Sequence, residues 1–300
     1  MRILITGASG FIGLPIVQRL ESQGHALLAL SRKPVVETKK KTATWLQADL
    51  ASFLSHREAI ESFEPEAVIH LAWQDIPDFS FEKSLINLNQ SLELLAFIIG
   101  LGSCRKILVS GSCWELNRLR GPCPEDEIGT PHDDFTWAKH ALRAWLDIAC
   151  KREKINLGWM RIFYVYGPRQ RSASLIPSIL SHLKNGRLPD LRTPHNANDF
   201  IFVDDVAAAF SSAVSSEFTT GIYNLGSGTS TPVLEVCRLA EQIVLGSDVL
   251  TRQLESNTHA TISDVDFWAD CSRAQEHLGW YPTTNLAEGI KETWRHCSTR

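Results

Sequence analysis

The chain opens with Met1-Arg-Ile-Leu-Ile-Thr6, a short apolar run of strand type, and passes without a break into Gly7-Ala-Ser-Gly10-Phe-Ile-Gly13. An apolar-periodic segment from Leu14 to Leu20 follows. Strand, glycine turn and helix, in that order, are the context in which a glycine pattern becomes a dinucleotide site. Gly7 lets the chain turn tightly, Gly10 lets backbone approach a pyrophosphate, and Gly13 lets helix and strand pack closely. The helix N-terminus then offers free N–H groups and a partial positive charge to the phosphates. Ser9, Phe11 and Ile12 share that turn and are expected to touch the same ligand.

The first half continues in the same alternation. Strands are expected at His25 to Ser31, Ala67 to Ala72, Lys106 to Ser110 and Leu157 to Phe163. Helical patterns fill Ser52 to Phe63, Ser84 to Leu101 and Phe135 to Glu153. Continuous apolar strands imply burial on both faces, hence a parallel sheet with helices above and below. Such sheets bind ligands at the carboxyl ends of their strands.

After Gly167-Pro168 the character changes. A helix is expected at Leu175 to Lys184, a strand at Phe200 to Val203, a helix at Asp205 to Val214 and a strand at Ile222 to Leu225. Helices at Thr231 to Ile243, Ser272 to Leu278 and Leu286 to His296 complete the chain, with a variable loop after Ile243. The expected architecture is α/β: a Rossmann-type doubly wound parallel sheet with a smaller C-terminal substrate-binding lobe. Residues 1–166 and 199–225 are assigned to the nucleotide-binding domain, and 167–198 and 226–300 to the lobe.

Three hundred residues, 44% hydrophobic and 21% charged, describe a soluble globular chain. A net charge of −4 gives no nucleic-acid signature, and no apolar run is long enough to cross a bilayer. Met1 begins a core strand, which leaves no room for a signal peptide. Seven cysteines without CxxC pairs point to reduced thiols in the cytoplasm, and neither they nor the ten histidines have metal-ligand spacing. Lys39-Lys40-Lys41 is the only charge run.

The second strand ends Leu30-Ser31-Arg32-Lys33 and has no acid where an NAD site places one on the adenosine ribose. A guanidinium stacks on adenine and pairs with a 2′-phosphate, and a serine hydroxyl bonds it. NADP(H) is therefore expected over NAD(H), through Ser31 and Arg32. Asp49 either accepts from the adenine amino group or caps the following helix.

Further landmarks accumulate in order: His70-Leu-Ala-Trp73, Asn87, Arg161-Ile-Phe-Tyr-Val-Tyr-Gly-Pro168, Asp199-Phe-Ile-Phe-Val-Asp-Asp205, Asn224-Leu-Gly226 and Leu278-Gly-Trp-Tyr-Pro282. With the opening glycines they resemble, nearly end to end, the extended short-chain dehydrogenase/reductases of the nucleotide-sugar epimerase/dehydratase family. That resemblance implies a catalytic serine or threonine, tyrosine and lysine, the last two spaced Tyr-x-x-x-Lys so that both lie on one helical face. The lysine lowers the phenol pKa and bonds the nicotinamide ribose; the tyrosine moves the proton. Here Ser112 and Lys139 occupy the serine and lysine positions, Asn87 matches an asparagine of the family, and the resemblance assigns Leu71, Ala72 and Trp73 of the fourth-strand signature, with Leu50, Ser110 and Phe163, to the cofactor. The tyrosine position holds Phe135, which has no proton to give. Three readings follow: a Tyr→Phe form made to trap a substrate, a different proton donor (Tyr164, standing where the family has a substrate-side asparagine), or a protein that binds without turnover.

The family's dehydratases carry Asp-Glu directly after the serine or threonine, whereas Cys113 and Trp114 stand here, so dehydration is not expected. The remaining reactions are reduction of a 4-keto (deoxy) nucleotide sugar and epimerisation, and an NADP-type second strand favours reduction. A non-catalytic NADP(H)-binding regulator is the alternative of another class. Arg169, Arg171 and Arg192 are candidates for the substrate diphosphate. Gln74, Cys113, Trp114 and Tyr164 are candidates for the sugar, and Trp73 and Trp137 offer further apolar surface. The family's arginine before Asp199 is Asn198 here. Asp204-Asp205 read as a helix cap beside a solvated acid rather than a metal pair. A homodimer through the Ser84 and Phe135 helices is expected from the resemblance.

Overall fold

A computed structural model describes residues 1–34, 43–118, 120–257 and 265–298. Among the described residues thirteen strands follow in chain order: β1 Arg2–Thr6, β2 Ala26–Ser31, β3 Thr44–Gln47, β4 Ala67–His70, β5 Lys106–Ser112, β6 Arg120–Cys123, β7 Asn156–Ile162, β8 Tyr164–Tyr166, β9 Ala197–Asn198, β10 Phe200–Phe202, β11 Gly221–Leu225, β12 Thr231–Pro232 and β13 Asp266–Ala269. The helices are α1 Gly13–Ser22, α2 Arg57–Phe63, α3 Phe81–Gly100, α4 Asp134–Glu153, α5 Leu175–Leu183, α6 Val203–Ser215, α7 Val233–Leu245, α8 Val249–Asn257, α9 Ser272–Leu278 and α10 Leu286–Ser298. The Lys39–Lys41 charge run lies outside the described residues.

Seven strands form one parallel sheet in the order β11-β7-β5-β4-β1-β2-β3. This is the α/β, doubly wound architecture expected from the sequence. Its strands bury alternate residues on opposite faces, as a period of two requires. Ile3, Ile5, Leu27, Ala29 and Ile69 join one core with Ile16 and Leu20 of α1 and Phe210 of α6. Leu4, Leu28, Leu30, Val68 and Val109 join another with Leu94 and Ile98 of α3 and Leu142 and Leu146 of α4. Burying each such Leu or Ile contributes about 1.5–3 kcal/mol. A third cluster, with Ile179, Leu180, Val236, Ala240 and Ile290, lies among α5, α7 and α10.

The order reverses at β1, between β2 and β4, and the crevice at that switch point is where such sheets bind ligands. Gly7 turns the chain there with φ +65°, and a Cβ on Gly13 would sit 2.2 Å from the Gly7 carbonyl oxygen. Backbone cannot yield as a side chain can, so α1 approaches the turn this closely only with glycine at 13.

The sequence reading missed several elements. The stretch after Ile243 contains α8 and β13, and β13 gains its strand character by pairing with β6, distant in the chain. Strand β3 is a short sheet edge with only two apolar residues. The cap expected at Asp204-Asp205 is not formed. Helix α6 begins at Val203 with no side-chain cap, and the buried Asp205 carboxylate instead accepts from the Thr283 amide (3.1 Å), the Thr283 hydroxyl (2.8 Å) and the Thr284 amide (3.0 Å).

Candidate active site

A groove of about 610 Å³ crosses the carboxyl ends of β1, β2 and β4. That size suits a small-molecule or cofactor site. Gly7, Ser9, Gly10, Phe11, Ile12 and Gly13 form its floor. Ser31, Arg32, Asp49 and Leu50 line one end, and Leu71, Ala72, Trp73, Gln74, Asn87 and Ser110 the wall opposite. Helix α1 opens without a side-chain cap and with no acid in its first turn. Its orphan N–H groups and positive end are thus open to the groove, which fits the diphosphate of a dinucleotide.

At the β2 end the Ser9 and Ser31 hydroxyls are 2.7 Å apart, and Ser31 donates onward to the Lys33 carbonyl at 2.8 Å. Arg32 is exposed and donates to Gln74 Oε1 at 3.3 Å. Asp49 caps the next helical turn, accepting from the Ala51 amide at 2.9 Å. The helix-cap reading of Asp49 is thus the one formed, and the residue also lines the groove.

The opposite wall rests on a buried polar chain. Ser91 donates to the Asn87 carbonyl (2.6 Å), so it accepts from His70 Nε2 (3.0 Å). His70 Nδ1 is then the acceptor and takes the Thr6 hydroxyl proton at 3.0 Å. Thr6 Oγ1 in turn accepts the Leu71 and Ala72 amides, each at 3.2 Å. Complete burial lowers His70 to about 3, with Lys139 adding to the effect, so the ring is neutral. Asn87 is clamped onto the loop after β4: it accepts the Gln74 amide at 2.7 Å and donates to the Gln74 carbonyl at 3.2 Å.

Lys139 and Phe135 lie one turn apart on α4, both buried. The Lys139 ammonium donates to the Ser110 carbonyl at 2.8 Å and sits 4.0 Å above the Trp73 ring. Burial lowers it to about 8, while Glu115 pulls it upward. Phe135 packs against Trp73 (5.5 Å, edge-on) and Phe79 (4.8 Å), which closes the family's proton-donor position inside an aromatic box. Ser112 ends β5. Its amide donates to Glu115 Oε1 at 2.6 Å, and its hydroxyl accepts the Trp114 amide at 3.2 Å. Glu115, fully buried, takes the Trp159 indole N–H at 2.8 Å on its other oxygen.

Tyr164 begins β8, just past the carboxyl end of β7, and does not line the groove. Ser112 pairs with Ile162 in the β5–β7 register, and Tyr164 lies two residues further along. Its ring packs on Phe200 and Phe267, and its hydroxyl makes no hydrogen bond among the described residues. Burial, assisted by the Cys113 thiol, raises the phenol above its ordinary range, so it stays protonated at neutral pH. Cys113 is buried and its thiol is likewise raised.

The remaining sequence candidates scatter. Arg171 lines the groove and donates to the Ile76 carbonyl at 2.6 Å. Arg169 is exposed in a left-handed conformation (φ 71°), and Arg192 is an exposed loop residue; neither lines the groove. Phe163 is buried in the core, not on the groove wall. Trp114 is half exposed and stacks near His132, and Trp137 is exposed beside Phe81. Asn198, where the family has arginine, is buried. Glu115 was missed, although Ser112-x-x-Glu115 is a capping-box pattern readable in sequence. Val165, Gln170 and Ser174 also line the groove, and no local pattern marks them. Among the described residues no cluster of His, Cys, Asp or Glu could hold a metal, and no helix is long and apolar enough to cross a membrane.

Glycine turn and switch-point groove define a Rossmann-type protein whose groove suits a dinucleotide. The model of the NAD dependent epimerase/dehydratase family matches residues 3–226, and the chain belongs to that family of extended short-chain dehydrogenase/reductases. It is 28% identical to a UDP-glucose 4-epimerase of Mycolicibacterium smegmatis, over 98% of this chain and 97% of that protein. It is 24% identical to a dTDP-4-dehydro-6-deoxyglucose reductase of Escherichia coli, over 96% and 95% respectively. The fold superposes on UDP-glucose 4-epimerase of Thermotoga maritima, crystallised with UDP-glucose, with TM-score 0.83, 24% identity and coverage of 100% and 99%. It also superposes on UDP-glucuronic acid 4-epimerase of Bacillus cereus, in complex with NAD, with TM-score 0.82, 19% identity and coverage of 100% and 97%.

Proposed function

We propose that the chain is an NADP(H)-dependent reductase of a 4-keto (deoxy) nucleotide sugar, with Tyr164 as proton donor in place of the missing tyrosine at 135. The observation that carries the reading is the end of β2. Two serine hydroxyls, Arg32 and Lys33 gather there, and β2 ends without a carboxylate to accept from a ribose diol. The array is complementary to a 2′-phosphate. When bound, the nicotinamide supplies hydride to a carbonyl carbon. The chain's own groups handle the oxygen. Ser112 Oγ donates to it, and the protonated Tyr164 phenol delivers the proton as negative charge develops. A raised phenol pKa suits this direction, because the group must arrive protonated. Lys139 orients the nicotinamide ribose and holds positive charge behind the site. Buried Cys113 provides no acid–base pair for dehydration.

The nucleotide-sugar class is supported by the relatives on both sides of this choice, the epimerases and the reductase. We place the protein in the cytoplasm as a homodimer, with residues 1–166 and 199–225 binding the cofactor and 167–198 and 226–300 the sugar nucleotide.

The test is NADPH oxidation with a panel of 4-keto-6-deoxy nucleotide sugars. Tyr164→Phe should lower kcat by roughly 10²–10⁴-fold, the usual contribution of a positioned acid. Phe135→Tyr should leave kcat within about tenfold of the parent, less than one such acid contributes. A Phe135→Tyr variant gaining several orders of magnitude would return the role to position 135. Absence of turnover in all three forms, with NADPH binding intact, would favour the regulator.

A further inference from the structure

We propose that Gln74 poises Arg32 for the 2′-phosphate and so sets the preference for NADP(H) from across the sheet, an inference that rests on the cofactor assignment above. Gln74 follows β4 and Arg32 follows β2, and β1 with its glycine turn lies between those two strands. Both residues line the groove. The Arg32 guanidinium donates from Nη1 to Gln74 Oε1 at 3.3 Å. Arginine carries donors only, so the Gln74 atom facing it is the oxygen and the amide orientation is settled.

Gln74 is itself held on both sides of its peptide, by Asn87 Oδ1 at 2.7 Å and Nδ2 at 3.2 Å. Asn87 is buried in α3 and donates further to the Lys83 carbonyl at 2.8 Å. The next residue, Asp75, takes a left-handed φ of 65° and pairs with Lys83 at 2.8 Å. The loop is therefore tied to α3 at two successive residues, which fixes the backbone from which the Gln74 side chain reaches Arg32.

A guanidinium has five N–H donors in a fixed fork. Gln74 uses one and leaves an edge free for two-pronged contact with a phosphate beside Ser31. Arg32 is otherwise exposed, and an unrestrained arginine would lose its rotamer freedom on binding. Pre-holding it removes part of that cost only for a ligand that uses the guanidinium as an anion partner. Gln74, which the sequence alone suggested as a sugar contact, belongs on this reading to cofactor selection as a positioning residue.

The experiment measures dissociation constants for NADPH, NADH, 2′,5′-ADP and 5′-AMP by fluorescence and calorimetry, in the parent, Gln74→Leu, Gln74→Glu and Arg32→Ala. Gln74→Leu should weaken NADPH and 2′,5′-ADP by about two- to tenfold, the scale of one side-chain ordering cost. NADH and 5′-AMP should weaken clearly less than the phosphorylated pair, so that the NADPH:NADH ratio falls, and circular dichroism reports that the fold is intact. Gln74→Glu should weaken the phosphorylated pair further, because its carboxylate pins Arg32 and repels the 2′-phosphate. NADPH and NADH weakening by the same factor would overturn the proposal, since Gln74 would then only support the groove. Lost discrimination in Arg32→Ala with full discrimination in Gln74→Leu would overturn it and leave the cofactor assignment standing. An unchanged NADPH:NADH ratio in Arg32→Ala would overturn both.

Discussion

Lys139 sits beside Phe135 with no phenol oxygen next to it. Its ammonium faces aromatic rings on several sides, and its hydrogen bond goes to a backbone carbonyl. Burial brings it down to about 8. Below that pH the ammonium attracts an anionic dinucleotide; above it the attraction fades. NADPH affinity should therefore fall as pH rises through about 8, and a Lys139→Met variant should show a flat profile there. Stability should move the other way. The folded pKa lies below the unfolded value, so between about 8 and 10 the unfolded chain binds more protons, and this group's contribution to stability rises with pH. Fluorescence titration and urea midpoints across pH 7–10 check the pair of signs, and a parallel decline in both would refute the assignment of either to Lys139. At this scale the sequence is readable where partners are local. Phe135 and Lys139 share a helical face and Ser112 caps the turn after its strand, so the family resemblance carries onto them through short local motifs. Glu115 is half legible: its bond to Ser112 is local, but Trp159 joins from a strand 44 residues away. The aromatic box needed the loop after β4 to fold back, which no spacing encodes.

Elements divide in the same way. Strands buried on both faces read clearly, because β1, β4 and β5 must be continuously apolar, and long amphipathic helices such as α4 read almost to the residue. Two-residue strands β9 and β12 have no periodicity to read, and β6 and β13 exist because each supplies the other's hydrogen bonds. Helix α4 also shows what its pattern leaves unused. Trp137 and Ile148 stand on its outer side, exposed by 39% and 68%, and Phe81 of α3 stacks beside Trp137 while itself 56% exposed. The two helices pack side by side, so this apolar surface is continuous with the pair expected from the family resemblance to mediate dimerisation. Under that proposal Ile148→Glu places a charge in a self-complementary contact. It should convert a dimer to a monomer by analytical ultracentrifugation while leaving NADPH affinity unchanged. A parent chain that sediments as a monomer would end the proposal.

At the scale of the whole molecule, the sheet and the C-terminal segments meet on one buried carboxylate. Glu125 accepts the Asn224 amide of β11 at 2.9 Å, the Ala274 amide of α9 at 3.2 Å and the neighbouring Arg273 amide. Asn224 continues the joint, donating to the Cys123 carbonyl at 2.8 Å and the Asp270 carbonyl at 2.9 Å. Buried Arg161 adds bonds to Asn224 and to the Glu127 carbonyl. Burial lifts Glu125 to about 7, although the three amides pull it back. Its folded pKa thus lies above its unfolded one. Between about 4.5 and 7 the folded chain keeps a proton that the unfolded chain releases, so this group's contribution to stability is largest at low pH and falls as pH rises, by on the order of 3 kcal/mol across the window. A Glu125→Gln chain does not titrate there, and its amide N–H₂ opposes one of the backbone donors. The parent should therefore be the more stable near pH 5, with a lead that shrinks toward pH 7.5 in urea denaturation; a lead that grew with pH would reverse the argument. Because the joint seats α9 against the sheet on the proposed sugar side, the variant should also raise KM for the nucleotide sugar while NADPH affinity stays unchanged. Loss of both affinities together would place the effect in the sheet itself rather than in the joint.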